Sequence, residues 1–173
     1  MKTLKMMAAA ATAAVLTAGT LLVPAAVGAS GRTATPECGN ADLRAGFVAT
    51  DAGMSHQFGR LSLTNVSGSA CWVRGYGGLS YVGKGDGTQI GAPARRTPSR
   101  TPMVVLRPGQ RVVSAVSMTT TGPYSRHECH PARVDGLRVY APDTTASQFV
   151  RYRTTACANR HLHTLQHKAF RRP

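Results

Sequence analysis

The chain has 173 residues, with 21 lysines and arginines against 7 aspartates and glutamates, a formal net charge of +14. Acids this sparse argue against a paired-carboxylate hydrolase, and the basic excess favours polyanionic neighbours such as anionic wall polymers, lipid head groups or nucleic acid. Arginine usage from a GC-rich genome accounts for the same numbers, and the bases are spread along the chain, which weakens the case for one dedicated nucleic-acid face.

Lys2 and Lys5 precede the weakly apolar run Met6–Val23, and Val27-Gly28-Ala29 offers small residues for cleavage. The run is short and rich in Ala and Thr, so residues 1–29 read as a cleaved signal peptide, with an uncleaved anchor as the alternative. Cys38 follows Thr35-Pro36-Glu37 rather than an apolar lipobox, and no later stretch is long enough to span a bilayer. Removal of residues 1–29 takes two lysines and no acid, leaving 144 residues with 19 bases and 7 acids, net +12, enough for one domain. The expected destination is extracellular.

Residues 30–37 are a small, polar lead-in expected to be disordered; residues 38–167 are the expected domain and 168–173 a basic tail. Leu43, Ala45, Phe47 and Ala49 recur at period two, predicting a strand. Phe58 to Leu63 predicts a second, with a change of phase and a bulge at Gly59. A turn over residues 64–69 leads into Ala70-Cys71-Trp72-Val73. Leu79–Val82 and Thr88–Ile90 flank Gly83-Lys84-Gly85-Asp86-Gly87, a hairpin with a five-residue loop. Residues 91–102 hold three prolines and three arginines and predict an exposed, irregular crossover. Met103–Leu106 and Val112–Met118 surround the turn Arg107-Pro108-Gly109-Gln110, and after another polar loop Leu137–Tyr140 and Phe149–Tyr152 supply two more strands. Leu162, Leu165 and Ala169 fit a helical face, but His161 to Leu165 as a terminal edge strand with outward imidazoles is the preferred reading. About eight short strands predict an all-β, antiparallel, Ig-like sandwich.

All four cysteines, Cys38, Cys71, Cys129 and Cys157, lie beyond the cleavage site. An even count in an exported chain predicts two disulfides. Sequential pairing, the preferred of three connectivities, closes loops of about 30 residues, each contributing roughly 3–4 kcal/mol in the chain-entropy model.

Cys38, Leu61-Ser62-Leu63-Thr64-Asn65, Cys71-Trp72-Val73-Arg74-Gly75-Tyr76, Leu106-Arg107-Pro108-Gly109, Cys129, Leu137-Arg138-Val139 with Pro142, and Cys157 occur in that order. The pattern resembles the secreted actinobacterial domain-of-unknown-function 4232 family from about Cys38 to Leu165. The resemblance implies an exported β-sandwich and brings no activity. Gly77 stands where that pattern usually has proline, which implies a looser turn after Tyr76.

Candidate chemistry is sparse. His127 and His130 flank Cys129, and His161, His163 and His167 crowd the C-terminus, but no zinc motif accompanies them, and a polar surface role is preferred to a metal site. No nucleophile elbow, zincin motif or phosphate loop opening a helix is present, so neither an enzyme nor a cofactor is expected. With Cys71 turned inward, Trp72 points outward near Arg74 and Tyr76, a candidate binding face unless a loop covers the indole. Arg95, Arg96 and Arg100 give the crossover a basic surface. The expected function is a non-catalytic binding or envelope-associated module with general polyanion affinity, its partner an anionic cell-wall polymer or another extracellular protein. The alternatives are a secreted protease inhibitor presenting Arg95 to Arg100 and a histidine-based metal binder.

Overall fold

The computed structural model describes residues 34–173; the expected signal peptide (1–29) and residues 30–33 of the lead-in lie outside the described residues. After a 3-10 turn over Asn40–Asp42, eleven strands follow: β1 (Leu43–Gly53), β2 (His56–Asn65), β3 (Cys71–Val73), β4 (Gly78–Gly83), β5 (Thr88–Ile90), β6 (Arg95–Arg96), β7 (Val104–Leu106), β8 (Arg111–Thr119), β9 (Pro131–Tyr140), β10 (Ser147–Cys157) and β11 (Leu165–His167), with the short helix α1 (Arg126–Cys129) between β8 and β9. They form a five-stranded sheet in the order β1-β2-β8-β11-β6, a four-stranded sheet in the order β10-β9-β4-β5, and a two-stranded ribbon of β3 and β7. All pairings between these strands are antiparallel except β11 with β6.

This is the expected all-β, Ig-like sandwich with two disulfides, built from eleven strands rather than about eight. Period-two alternation places Leu61, Leu63, Val112, Val116 and Met118 of the large sheet in one core with Leu79, Tyr81, Val134, Leu137 and Val139 of the smaller one. The disulfides are sequential: Cys38–Cys71 ties the lead-in to β3, and Cys129–Cys157 ties α1 to the end of β10. Where β1 and β10 meet at the sheet edges, Gln148 bridges them. Its amide oxygen accepts the Ala45 N–H at 2.8 Å, and its nitrogen donates to the Leu43 carbonyl at 2.7 Å and to Asn40. One side chain thus supplies the ladder bonds that a further strand would make.

The structure corrects several expectations. The bulge lies in β1, where the register shifts between Ala49 and Asp51, and β2 keeps its phase: Gly59, Leu61 and Leu63 face inward and Phe58 is exposed. Gly83 pairs with Thr88, so the hairpin loop is four residues rather than five. Arg95 and Arg96 leave the irregular crossover to pair in parallel with Gln166 and His167. α1 falls in what reads as a polar loop; Ser125 caps it, accepting the Glu128 N–H at 3.1 Å. The C-terminal strand forms over Leu165–His167, later than expected and inside the sheet between β8 and β6. The basic tail is part of the fold, with Ala169 and Phe170 in the core and Arg171 bridging Val113. Within the lead-in, Glu37 pairs with Trp72 instead of lying free. Gly77 is buried and packed tightly, because a Cβ there would stand 2.2 Å from the Tyr140 carbonyl oxygen.

Candidate functional site

The binding candidates divide between separate places. Cys71 points inward to its disulfide and Trp72 outward, as adjacent strand residues must. The indole is half-buried. The lead-in runs alongside, with the Trp72 N–H donating to the Pro36 carbonyl at 2.9 Å. Arg74, Tyr76 and Arg96 gather around a cavity of about 530 Å³ that Tyr140, Asp143 and Thr144 also line, whereas Trp72, Arg95 and Arg100 do not reach it.

Tyr76 is a brace. Its hydroxyl donates to the Thr97 carbonyl at 2.8 Å, accepts the Ser99 N–H at 2.8 Å and lies 2.9 Å from Ser99 Oγ. Its ring meets His167 edge-on at 5.8 Å and carries the Arg96 guanidinium 5.7 Å above its centre. The segment holding Arg95, Arg96 and Arg100 is therefore pinned by β11 on one side and by Tyr76 beneath, with all three arginines exposed. His167 itself is core, not surface. Its Nδ1 donates to the Lys168 carbonyl at 3.1 Å, and burial holds its pKa below the ordinary imidazole range. Asp143, which lines this cavity, also acts on the exposed Glu37, whose carboxyl titrates above the usual range through slight desolvation first and then the Asp143 carboxylate.

A second hollow, of about 730 Å³, opens on the outer face of the four-stranded sheet and was not legible as a site in the sequence. The β4–β5 turn contributes Lys84, β9 contributes Arg133 and Asp135, and β10 contributes Phe149, Arg151 and Arg153. Its lining holds four cations and one acid. Asp135 is already engaged, accepting the Gly85 N–H at 2.8 Å, and Arg138 donates to the Gly87 carbonyl at the same turn. Alternation along β10 sends Phe149, Arg151 and Arg153 outward, while Tyr152 turns in to contact the Phe47 ring and donate to Gln57 at 2.6 Å. A register shift between Arg151 and Thr154 places Tyr152 and Arg153 opposite Asp135 alone, a bulge that re-aims Arg153. A neighbouring hollow of about 520 Å³ shares Arg133, Asp135 and Arg153.

The arrangement suits anion binding: three arginines and a lysine line one hollow, and guanidinium groups can hold acid groups in bidentate fashion. The lining contains no nucleophile with an adjacent base. Among the described residues, no three of His, Cys, Asp and Glu gather as a metal group, and His127 and His130 meet only edge to edge at 6.0 Å. Among the described residues no helix is long and apolar enough to cross a membrane. The sequence signal that could have found the groove is Phe149-x-Arg151-x-Arg153 at strand period, with Arg133-x-Asp135 on a second strand. Their common face depends on a pairing of β9 with β10 that composition does not reveal.

The model of the family described as Domain of unknown function (DUF4232) matches residues 38–171. No curated protein and no solved structure matches the chain.

Proposed function

The chain belongs to the DUF4232 family, a domain family of unknown function, and from that premise we propose that it is an exported, non-catalytic module that binds anionic polymers of the cell envelope. The observation that carries the reading is the convergence of Lys84, Arg133, Arg151 and Arg153 on one groove whose single acid is engaged by a backbone N–H. Two disulfides support an oxidising compartment as the place of work. Binding of this kind displaces counterions, so affinity falls steeply with salt.

Retention on a heparin column and on isolated anionic wall polymer, at low and near-physiological salt, tests the reading. Wild type is expected to be retained at low salt. The variant Arg133→Ser/Arg151→Ser/Arg153→Ser is expected to elute at clearly lower salt than Arg95→Ser/Arg96→Ser/Arg100→Ser, although each removes three charges. Equal loss in the two variants would reduce the groove to one part of a diffuse positive surface.

The inhibitor reading draws on a specific feature, the exposed arginines of a segment braced by β11 and Tyr76. Incubation with trypsin separates it: an inhibitor survives and blocks turnover, whereas an ordinary basic segment is cut.

A further inference from the structure

The groove contains one side chain that charge does not explain. Phe149 is 60% exposed in the middle of the cationic lining. Its ring lies against the sheet at Gly136, where an added Cβ would stand 2.4 Å from ring atom Cε2 and 2.6 Å from Cζ. A side chain on β9 at this point would collide with the ring, so Gly136 is what lets Phe149 lie against the strand while most of its surface stays open to solvent. Val150 and Tyr152, its neighbours along β10, turn inward against the core, which fixes the strand beneath the ring.

An exposed aromatic ring flanked by cations suits a flat or ring-shaped group that carries acid substituents. We infer that the groove takes an anionic polysaccharide, one sugar ring lying with its C–H face on Phe149 while Lys84, Arg133, Arg151 and Arg153 hold the acid groups on either side. This inference rests on the polyanion reading above and adds the class of polymer. Single-stranded nucleic acid brings a base with every phosphate and is held on successive aromatic platforms, whereas this groove has a single aromatic among its lining residues. A ring-free polyanion satisfies the cations and leaves Phe149 without a role.

The test compares affinities of the full mature chain, of Phe149→Ala, of Phe149→Leu and of Arg133→Ser/Arg151→Ser/Arg153→Ser for three probes at one salt concentration. The probes are heparin, which has acid-bearing sugar rings; linear polyphosphate, which has none; and an oligothymidylate. Thermal melts establish that the variants are folded, and leucine separates loss of the flat ring from loss of apolar bulk. The expected result is that Phe149→Ala and Phe149→Leu each weaken heparin binding about five-fold or more, the magnitude of one stacked ring, and leave polyphosphate binding unchanged, while the triple variant weakens both. Equal effects of Phe149→Ala on heparin and polyphosphate, or no effect on heparin, overturn the inference and leave the polyanion reading standing. A greater loss on oligothymidylate than on heparin overturns it in favour of nucleic acid. If the triple variant binds heparin as wild type does, both readings fail.

Discussion

Asn65 closes the Leu63-Thr64-Asn65 segment at the end of β2, and its replacement by alanine probes how the following turn is held. Asn65 is fully buried. Its Nδ2 donates to the Ser69 carbonyl at 2.8 Å and the Leu106 carbonyl at 2.9 Å, while its Oδ1 accepts the Ser67 N–H at 2.9 Å and the Ser67 hydroxyl at 2.8 Å. The main chain is equally engaged, donating to the Gln110 carbonyl and accepting the Gly109 N–H, both at 2.8 Å. Alanine keeps these backbone bonds and deletes all four side-chain bonds. The Leu106 carbonyl is then buried without its side-chain donor, a loss of about 1–3 kcal/mol, whereas the half-open Ser67 and Ser69 groups are rehydrated at about 0.5–1 kcal/mol each. The total, about 3 kcal/mol, is a large part of a typical domain stability of about 5–15 kcal/mol. For a chain of this size it lowers the melting temperature by about 6–12 °C. Asn65→Asp is expected to be worse than alanine at pH 7, since a buried carboxylate then faces two carbonyl oxygens, and to recover towards alanine in acid as that carboxyl takes up a proton. Thermal melts of oxidised protein at pH 7 and pH 4 provide the measurement. An alanine variant melting within about 2 °C of wild type, or an aspartate variant more stable than alanine at pH 7, would refute the reasoning.

Other expectations concern covalent state, pH and the sheet edge. The protein is expected to be exported, to begin near Ser30 after processing and to weigh four hydrogens less than its reduced form, read by intact mass before and after reduction; a retained leader or a thiol labelled without reductant contradicts this. His167 has a lowered folded-state pKa because it is buried. The unfolded chain therefore binds the proton more readily, and stability should fall as pH drops below about 6.5. His167→Gln should show a shallower loss between pH 7 and pH 5 in urea titrations, and identical slopes would count against it. Gln148→Ala removes the side-chain bridge between β1 and β10 and is expected to cost about 1–3 kcal/mol. It should also speed hydrogen exchange at the Ala45 amide, while unchanged exchange there would mean that the edge is closed by packing alone.

The elements legible from residues alone were those specified by neighbours in sequence. Alternation at Leu43, Ala45 and Phe47, the Gly-rich turn before Thr88 and the Pro-Gly turn at 108–109 reflect a period of two and local turn chemistry, which a short window contains. The even cysteine count beyond the expected cleavage site predicted two bridges, and sequential pairing, the preferred of three connectivities, is what the structure has. The parallel pairing of Arg95 and Arg96 with β11, the burial of Phe170 in a stretch that reads as basic tail, and the inward turn of His167 all depend on contacts between distant segments. The basic groove belongs with these. Lys84, Arg133, Arg151 and Arg153 look dispersed along the chain, and the register that places Arg151 opposite Gly136 and Val82 opposite that same glycine sets them around one hollow. Strand periodicity decides which side of its own strand a residue occupies; which strands lie side by side is a matter of closing long loops around a shared core, and that is settled only in the folded chain.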